Sequence, residues 1–113
     1  MRRVPEVLVH FDEAVASPSG ARYHARVLGA PTALGQWEGW LEFTPVALEG
    51  VAIETDRETS QPNRVDLDYW ATGLSRVYLE GALGRALDRA ARAARAARDA
   101  AVERLDGDGF PID

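Results

Sequence analysis

The chain has 113 residues and a mass of 12.3 kDa, with 13 Arg, no Lys, 18 acidic residues, two His and no Cys. That length fits one domain with its own core, and the missing Cys excludes a disulfide framework, a thiolate nucleophile and cysteine-ligated zinc or iron–sulfur centres. A net charge of −5 disfavours the whole surface as a nucleic-acid binder, and no apolar run approaches the ~20 residues that span a bilayer.

Met1-Arg2-Arg3 is basic, but the stretch after it is too short and too interrupted for a signal peptide. The expectation is a cytoplasmic protein with no membrane partner. Arg without Lys, beside a single Asn and many Ala, reads first as the signature of a GC-rich genome. Selection for the guanidinium fork is the sharper alternative.

Residues 5–11 form the first expected strand, with Val7, Val9 and Phe11 alternating against Leu8 and His10. Ser17-Pro18-Ser19-Gly20 marks a turn. From Arg22 to Leu28 the alternation returns, with Tyr23, Ala25 and Val27 on one face and Arg22, His24 and Arg26 on the other. Gln36 to Thr44 is the clearest strand: Trp37, Gly39, Leu41 and Phe43 face one way, Glu38, Trp40 and Glu42 the other. A shorter strand is expected over Gly50–Thr55, with Val51 and Ile53 inward. Consecutive strands on short connections favour an antiparallel meander. Its outer face then sets three basic-type side chains beside two carboxylates and Trp40. His10, His24 and Glu42 lack any metal-binding spacing, so no metal and no cofactor is expected.

At Val65 the period becomes helical, through Leu67, Trp70, Leu74 and Val77/Tyr78. Asn63 is the expected N-cap with Asp66 three residues on, and Gly107 is the expected stop. A straight helix over 65–105 would be about 61 Å long, against a diameter of roughly 35 Å for a compact chain of this size. It therefore breaks, with Gly81 to Gly84 the expected place, or it projects to meet a partner.

The fold expected is α+β: a three- to four-stranded antiparallel meander, then one long or kinked C-terminal helix packed on the sheet. It is a single domain over 1–113, with the sheet at about 5–55, a polar loop at 56–64, a helical region at 65–105 and an acidic tail at 106–113. Trp37, Leu41, Phe43, Val51, Ile53, Leu67, Trp70 and Leu74 are its expected core.

Three functional readings follow. Leu83, Leu87, Ala90, Ala94, Ala97 and Ala101 step in a heptad seam of small side chains, which suits a homodimer. This is the leading reading: a non-catalytic interaction module that self-associates through its Ala/Arg-rich helix. Arg85, Arg89, Arg92, Arg95 and Arg98 offer nucleic-acid binding as the second reading, although they drift around the helix and Asp88 and Asp99 can pair with Arg92 and Arg95. The third is binding or catalysis on a small polar ligand at the 56–64 loop with Trp40, its candidate residues being Glu38, Trp40, Arg57, Glu58, Thr59, Gln61, Asn63 and Arg64. No phosphate loop or nucleophile elbow is present, and no catalytic residue is singled out.

The segments Trp37-Glu38-Gly39-Trp40-Leu41-Glu42-Phe43, Arg57-Glu58-Thr59-Ser60-Gln61-Pro62-Asn63-Arg64, Tyr69-Trp70-Ala71-Thr72-Gly73-Leu74 and Tyr78-Leu79-Glu80-Gly81-Ala82-Leu83 resemble a family of small bacterial hypothetical proteins. The resemblance covers roughly residues 20–90. It implies bacterial origin and lends no mechanism.

Overall fold

The computed structural model describes residues 4–47 and 50–107, with side chains as far as Arg104. The basic start at Met1–Arg3 and the acidic tail from Asp108 onward lie outside the described residues. Six strands and two helices follow in order: β1 Glu6–His10, β2 Val15–Ala16, β3 Arg22–Pro31, β4 Trp37–Pro45, β5 Ile53–Glu54, β6 Thr59–Gln61, α1 Arg64–Thr72 and α2 Arg76–Gly107. The sheet is antiparallel in the order β1-β3-β4-β5, with β2 also on β3 and β6 also on β4. It is the expected α+β arrangement, with two strands more than the alternation predicts.

The long β3–β4 hairpin is the spine of the sheet. Its register runs from Tyr23 opposite Pro45 to Pro31 opposite Trp37. The turn is closed by Thr32, whose N–H donates to the Gln36 carbonyl at 2.7 Å and whose hydroxyl accepts from Leu34 and Gln36 N–H. Gly35 takes φ +84 there, a left-handed conformation that a side chain would resist.

Alternation in β4 and in β3 as far as Val27 reflects one-sided burial, whereas Leu28 and Ala30 of β3 are buried on the other face as well. Ala25, Val27, Leu41 and Phe43 are buried on the face that both helices cover. In β1 a bulge between Val7 and Val9 shifts the register, so that both Leu8 and Val9 pack against the core. The other face carries cross-strand rows. One is His10, Arg26, Glu42 and Glu54, the next is Val7, Leu28 and Trp40, and a third holds Ala30, Glu38 and Ser60.

Helix α1 starts where the sequence predicts: Asn63 Oδ1 accepts the Asp66 N–H at 2.8 Å. It sits close on the sheet because two glycines face it. A Cβ on either Gly29 or Gly39, which are cross-strand partners, would lie 2.6 Å from a methyl of Leu67.

The helical region does break, at Gly73-Leu74-Ser75 and not at Gly81–Gly84. Gly73 caps α1 through N–H bonds to the Ala71 and Trp70 carbonyls. Ser75 then opens α2, its hydroxyl accepting the Tyr78 N–H at 3.1 Å. Gly81 and Gly84 are ordinary positions inside a continuous 32-residue helix. Leu79, Ala82, Leu83 and Ala86 seat α2 on the core.

Two core expectations need correction. Val51 is 82% exposed, because β5 holds only Ile53 and Glu54 and the chain before it leaves the sheet. Trp37 is half-buried and lies outside the central cluster, at the sheet end beside Pro31 and Gln61. Leu41, Phe43 and Leu67 are fully buried, and Ile53, Trp70 and Leu74 pack against the core.

Candidate functional site

The 56–64 segment runs along the β4 edge into α1, and the sheet divides its polar side chains. Glu38 and Trp40 belong to the outer face, where Arg57 reaches Glu38 at 3.6 Å. Glu58 instead turns to the helical face. Thr59 stands opposite Gly39 and Gln61 opposite Trp37, on the helical side, with the Gln61 amide donating to the Thr59 hydroxyl at 2.7 Å. Asn63 is the α1 cap, and Arg64 forks onto Glu6 of β1. The eight residues proposed from the sequence as one polar-ligand site therefore do not converge. Most of them hold the fold together, because this segment joins the sheet edge to both helices.

Within the segment Glu58 has the densest network. Its side chain is 9% exposed. Arg85 of α2 binds it with both arms, Nε to Oε2 at 3.0 Å and Nη2 to Oε1 at 2.7 Å, and the Tyr78 hydroxyl donates to Oε1. The Thr55 hydroxyl accepts the Leu41 N–H at 3.1 Å, which leaves its own proton to face Glu58. The Arg85 guanidinium lies 5.5 Å above the Tyr78 ring centroid, and Trp70 meets the same ring edge-on at 6.0 Å.

Burial opposes charge on Glu58, but the hydrogen bonds from Arg85 and Tyr78 outweigh it and hold the carboxyl below the ordinary range. Burial, then the neighbouring carboxylate, pushes the Tyr78 phenol up to about 12. Arg85 is raised further by the same Glu58 contact. A carboxylate with this many donors, and a phenol this reluctant to ionise, make a poor general base or nucleophile. The cluster clamps α2 to the chain between β5 and β6. One turn on, Arg89 adds a second clamp, to Asp56 at 2.8 Å.

The arginine ladder is thus divided. Arg85 and Arg89 are neutralised within the chain, while Arg92, Arg95 and Arg98 form no ion pair among the described residues. Asp88 with Arg92 and Arg95 with Asp99 do not close as the helical spacing suggested. The one i,i+4 pair among the described residues is Arg76 with Glu80 at 3.8 Å.

The heptad seam divides in the same way. Leu83 is 1% exposed in the chain's own core and is not open to a partner, and Leu87 packs half-buried against that core. Ala90 is half-buried, whereas every residue from 91 to 104 is exposed, Ala94, Ala97 and Ala101 included. Helix α2 begins beside β2, near Val15 and Leu79, and leaves the sheet beside β5, near Arg89, Ala90 and Ala93. Its last four turns stand clear of the sheet. The molecule measures 62 × 39 × 21 Å, with a radius of gyration of 17.7 Å, where a compact chain would have about 13 Å.

Fold and site together define a two-layer α+β protein, a six-stranded antiparallel sheet with both helices on one face and the second helix overhanging it. No family model matches the chain, and no curated protein and no solved structure matches it. Among the described residues no helix is long and apolar enough to cross a membrane, and no group of three or more His, Cys, Asp or Glu is placed to hold a metal ion.

Proposed function

We propose that this chain is a non-catalytic interaction module that pairs with a second copy of itself through the free half of α2. One observation carries the reading: the face that seats α2 on its own core continues past the sheet with nothing beneath it among the described residues. At 3.6 residues per turn, Ala93, Ala94, Ala97, Ala100 and Ala101 fall in the same arc of about 120° as Leu79, Leu83 and Ala86. A helix end with no packed face gains little from tertiary structure, and small side chains let a second helix approach closely. The charge distribution agrees. Residues 76–104 hold seven Arg and four acids, net +3, while residues 1–75 hold six Arg and eleven acids, net −5. A helix of one copy laid beside the sheet half of another meets opposite charge. The cysteine-free sequence fits action in a reducing cytoplasm.

The nucleic-acid reading is second. It keeps Arg92, Arg95 and Arg98 but loses Arg85 and Arg89 to Glu58 and Asp56. Three free cations give weak, salt-sensitive contact with phosphates.

Light scattering on the full chain tests the proposal. The expected result is twice the chain mass at micromolar concentration, falling to the single mass in Ala97→Glu, which puts a charge into the seam. A wild-type chain that stays monomeric over that range overturns it.

A further inference from the structure

We infer that the partner's α2 lies in the groove between β5 and α2, beside the open edge of the sheet, so that each copy covers the other's sheet edge. This rests on the self-association proposed above and specifies its geometry.

The groove has a volume of about 500 Å³ and is lined chiefly by Val51, Ala52, Ile53, Ala90 and Ala93. Val51 is 82% exposed at its mouth. β5 is the last strand in the order β1-β3-β4-β5, so its outer edge has no sheet neighbour among the described residues. An uncovered edge beside exposed apolar side chains is a surface that proteins commonly cover.

The direction of the α2 face selects the occupant. The Ala arc of the overhanging half points toward the sheet layer, since it continues the arc of Leu79 and Ala86, which are buried on that layer. A second copy related by a two-fold axis near Ala97 presents the same arc in return. Its helix then lies at the level of the first copy's sheet, immediately outside β5. Antiparallel pairing about that axis places the partner segment near Ala100 by Ala93 and Val51.

Area requires the groove as well as the seam. Two bare Ala faces about 25 Å long and roughly 10 Å wide bury on the order of 500 Å² in total, whereas a stable pair needs at least about 1,200 Å². The groove and the β5 edge adjoin the seam through Ala90 and Ala93, and the two-fold uses them twice.

The test uses full-length chains. Val51→Glu alters a surface residue and leaves the monomer folded, as circular dichroism would verify. Sedimentation equilibrium should show its dimer dissociation constant raised at least tenfold. Because the natural chain has no Cys, Val51→Cys with Ala100→Cys introduces the only thiols. Oxidation should give a covalent dimer from the double variant, while each single variant stays largely monomeric on a non-reducing gel. If Ala97→Glu dissociates the pair while Val51→Glu leaves its affinity unchanged and the double variant does not cross-link, the groove assignment is overturned and self-association stands. If the wild-type chain is monomeric, both fall.

Discussion

At the scale of single residues, Glu58 ties α2 to the β5–β6 connection, and it does so as a charged group. Replacing it with Gln keeps the shape but gives up the two-armed ionic contact with Arg85. A hydrogen-bonded charge of this kind contributes about 2 kcal/mol, which in a chain of this length is roughly 10 °C of melting temperature. The pH dependence has a definite sign. The folded carboxyl titrates below its ordinary value of 4.5, so the unfolded chain binds the proton first as pH falls. The stabilisation is complete above that ordinary value and is lost as pH drops through the lowered one. Thermal melts from about pH 6 to about pH 3 should therefore show wild type losing stability more steeply than Glu58→Gln. Parallel curves for the two proteins would mean that Glu58 contributes through shape alone. None of this was legible in the sequence. Arg57-Glu58-Thr59-Ser60-Gln61 reads as a polar loop that could gather a ligand. The partner of Glu58 stands 27 positions away, on a helix face whose orientation no local pattern specifies.

At the scale of elements, α1 sits close against the β3–β4 hairpin. Leu67 covers both Gly29 and Gly39, and a Cβ on Gly39 would also come within 3.3 Å of the Thr59 methyl. Leu67 is fully buried, so its methyls must shift within the core to admit another. Gly39→Ala should cost about 2 kcal/mol by overpacking. Leu67→Ala should also destabilise, by about 3 kcal/mol for the cavity it leaves. In the double variant the new methyl enters that cavity, so denaturant titration should find the pair less damaging than the sum, by about 1 kcal/mol. Strict additivity would show that helix and hairpin can part without strain. Elements with one-sided burial were readable in advance: β4 and the first half of β3 alternate because one face is core, and Asn63 with Asp66 announces α1. Two-residue β2 and polar β6 carry no such pattern, because their pairing partner is a long strand that supplies the burial. The break between helices was mislocated because Trp70, Leu74 and Tyr78 keep a helical spacing across it. Gly73 followed by Ser75, a stop and a new cap two residues apart, was the signal that could have placed it.

At the scale of the whole molecule, the unusual feature is that helix formation outruns the sheet. The first half of α2 is held by core contacts and by two arginine clamps, whereas residues 91–104 are all exposed and, past Ala93 beside β5, rest among the described residues on their own backbone bonds and Ala-rich propensity. An isolated helix of about 14 residues is marginal in water even with many Ala. In the monomer, amide hydrogens of this segment should exchange with little protection while those of 76–90 are slow. Pairing supplies what the free half lacks, a packed face, so its protection must depend on concentration. Hydrogen exchange followed by mass spectrometry at nanomolar and at high micromolar chain concentration should show slowing confined to 91–104 and the β5 edge, with 76–90 unchanged. Ala97→Glu should hold the segment in its fast-exchanging state at both concentrations. Exchange in 91–104 that is slow and independent of concentration would mean that the helix stands alone by propensity. The overhang would then be a rigid arm rather than half of an interface.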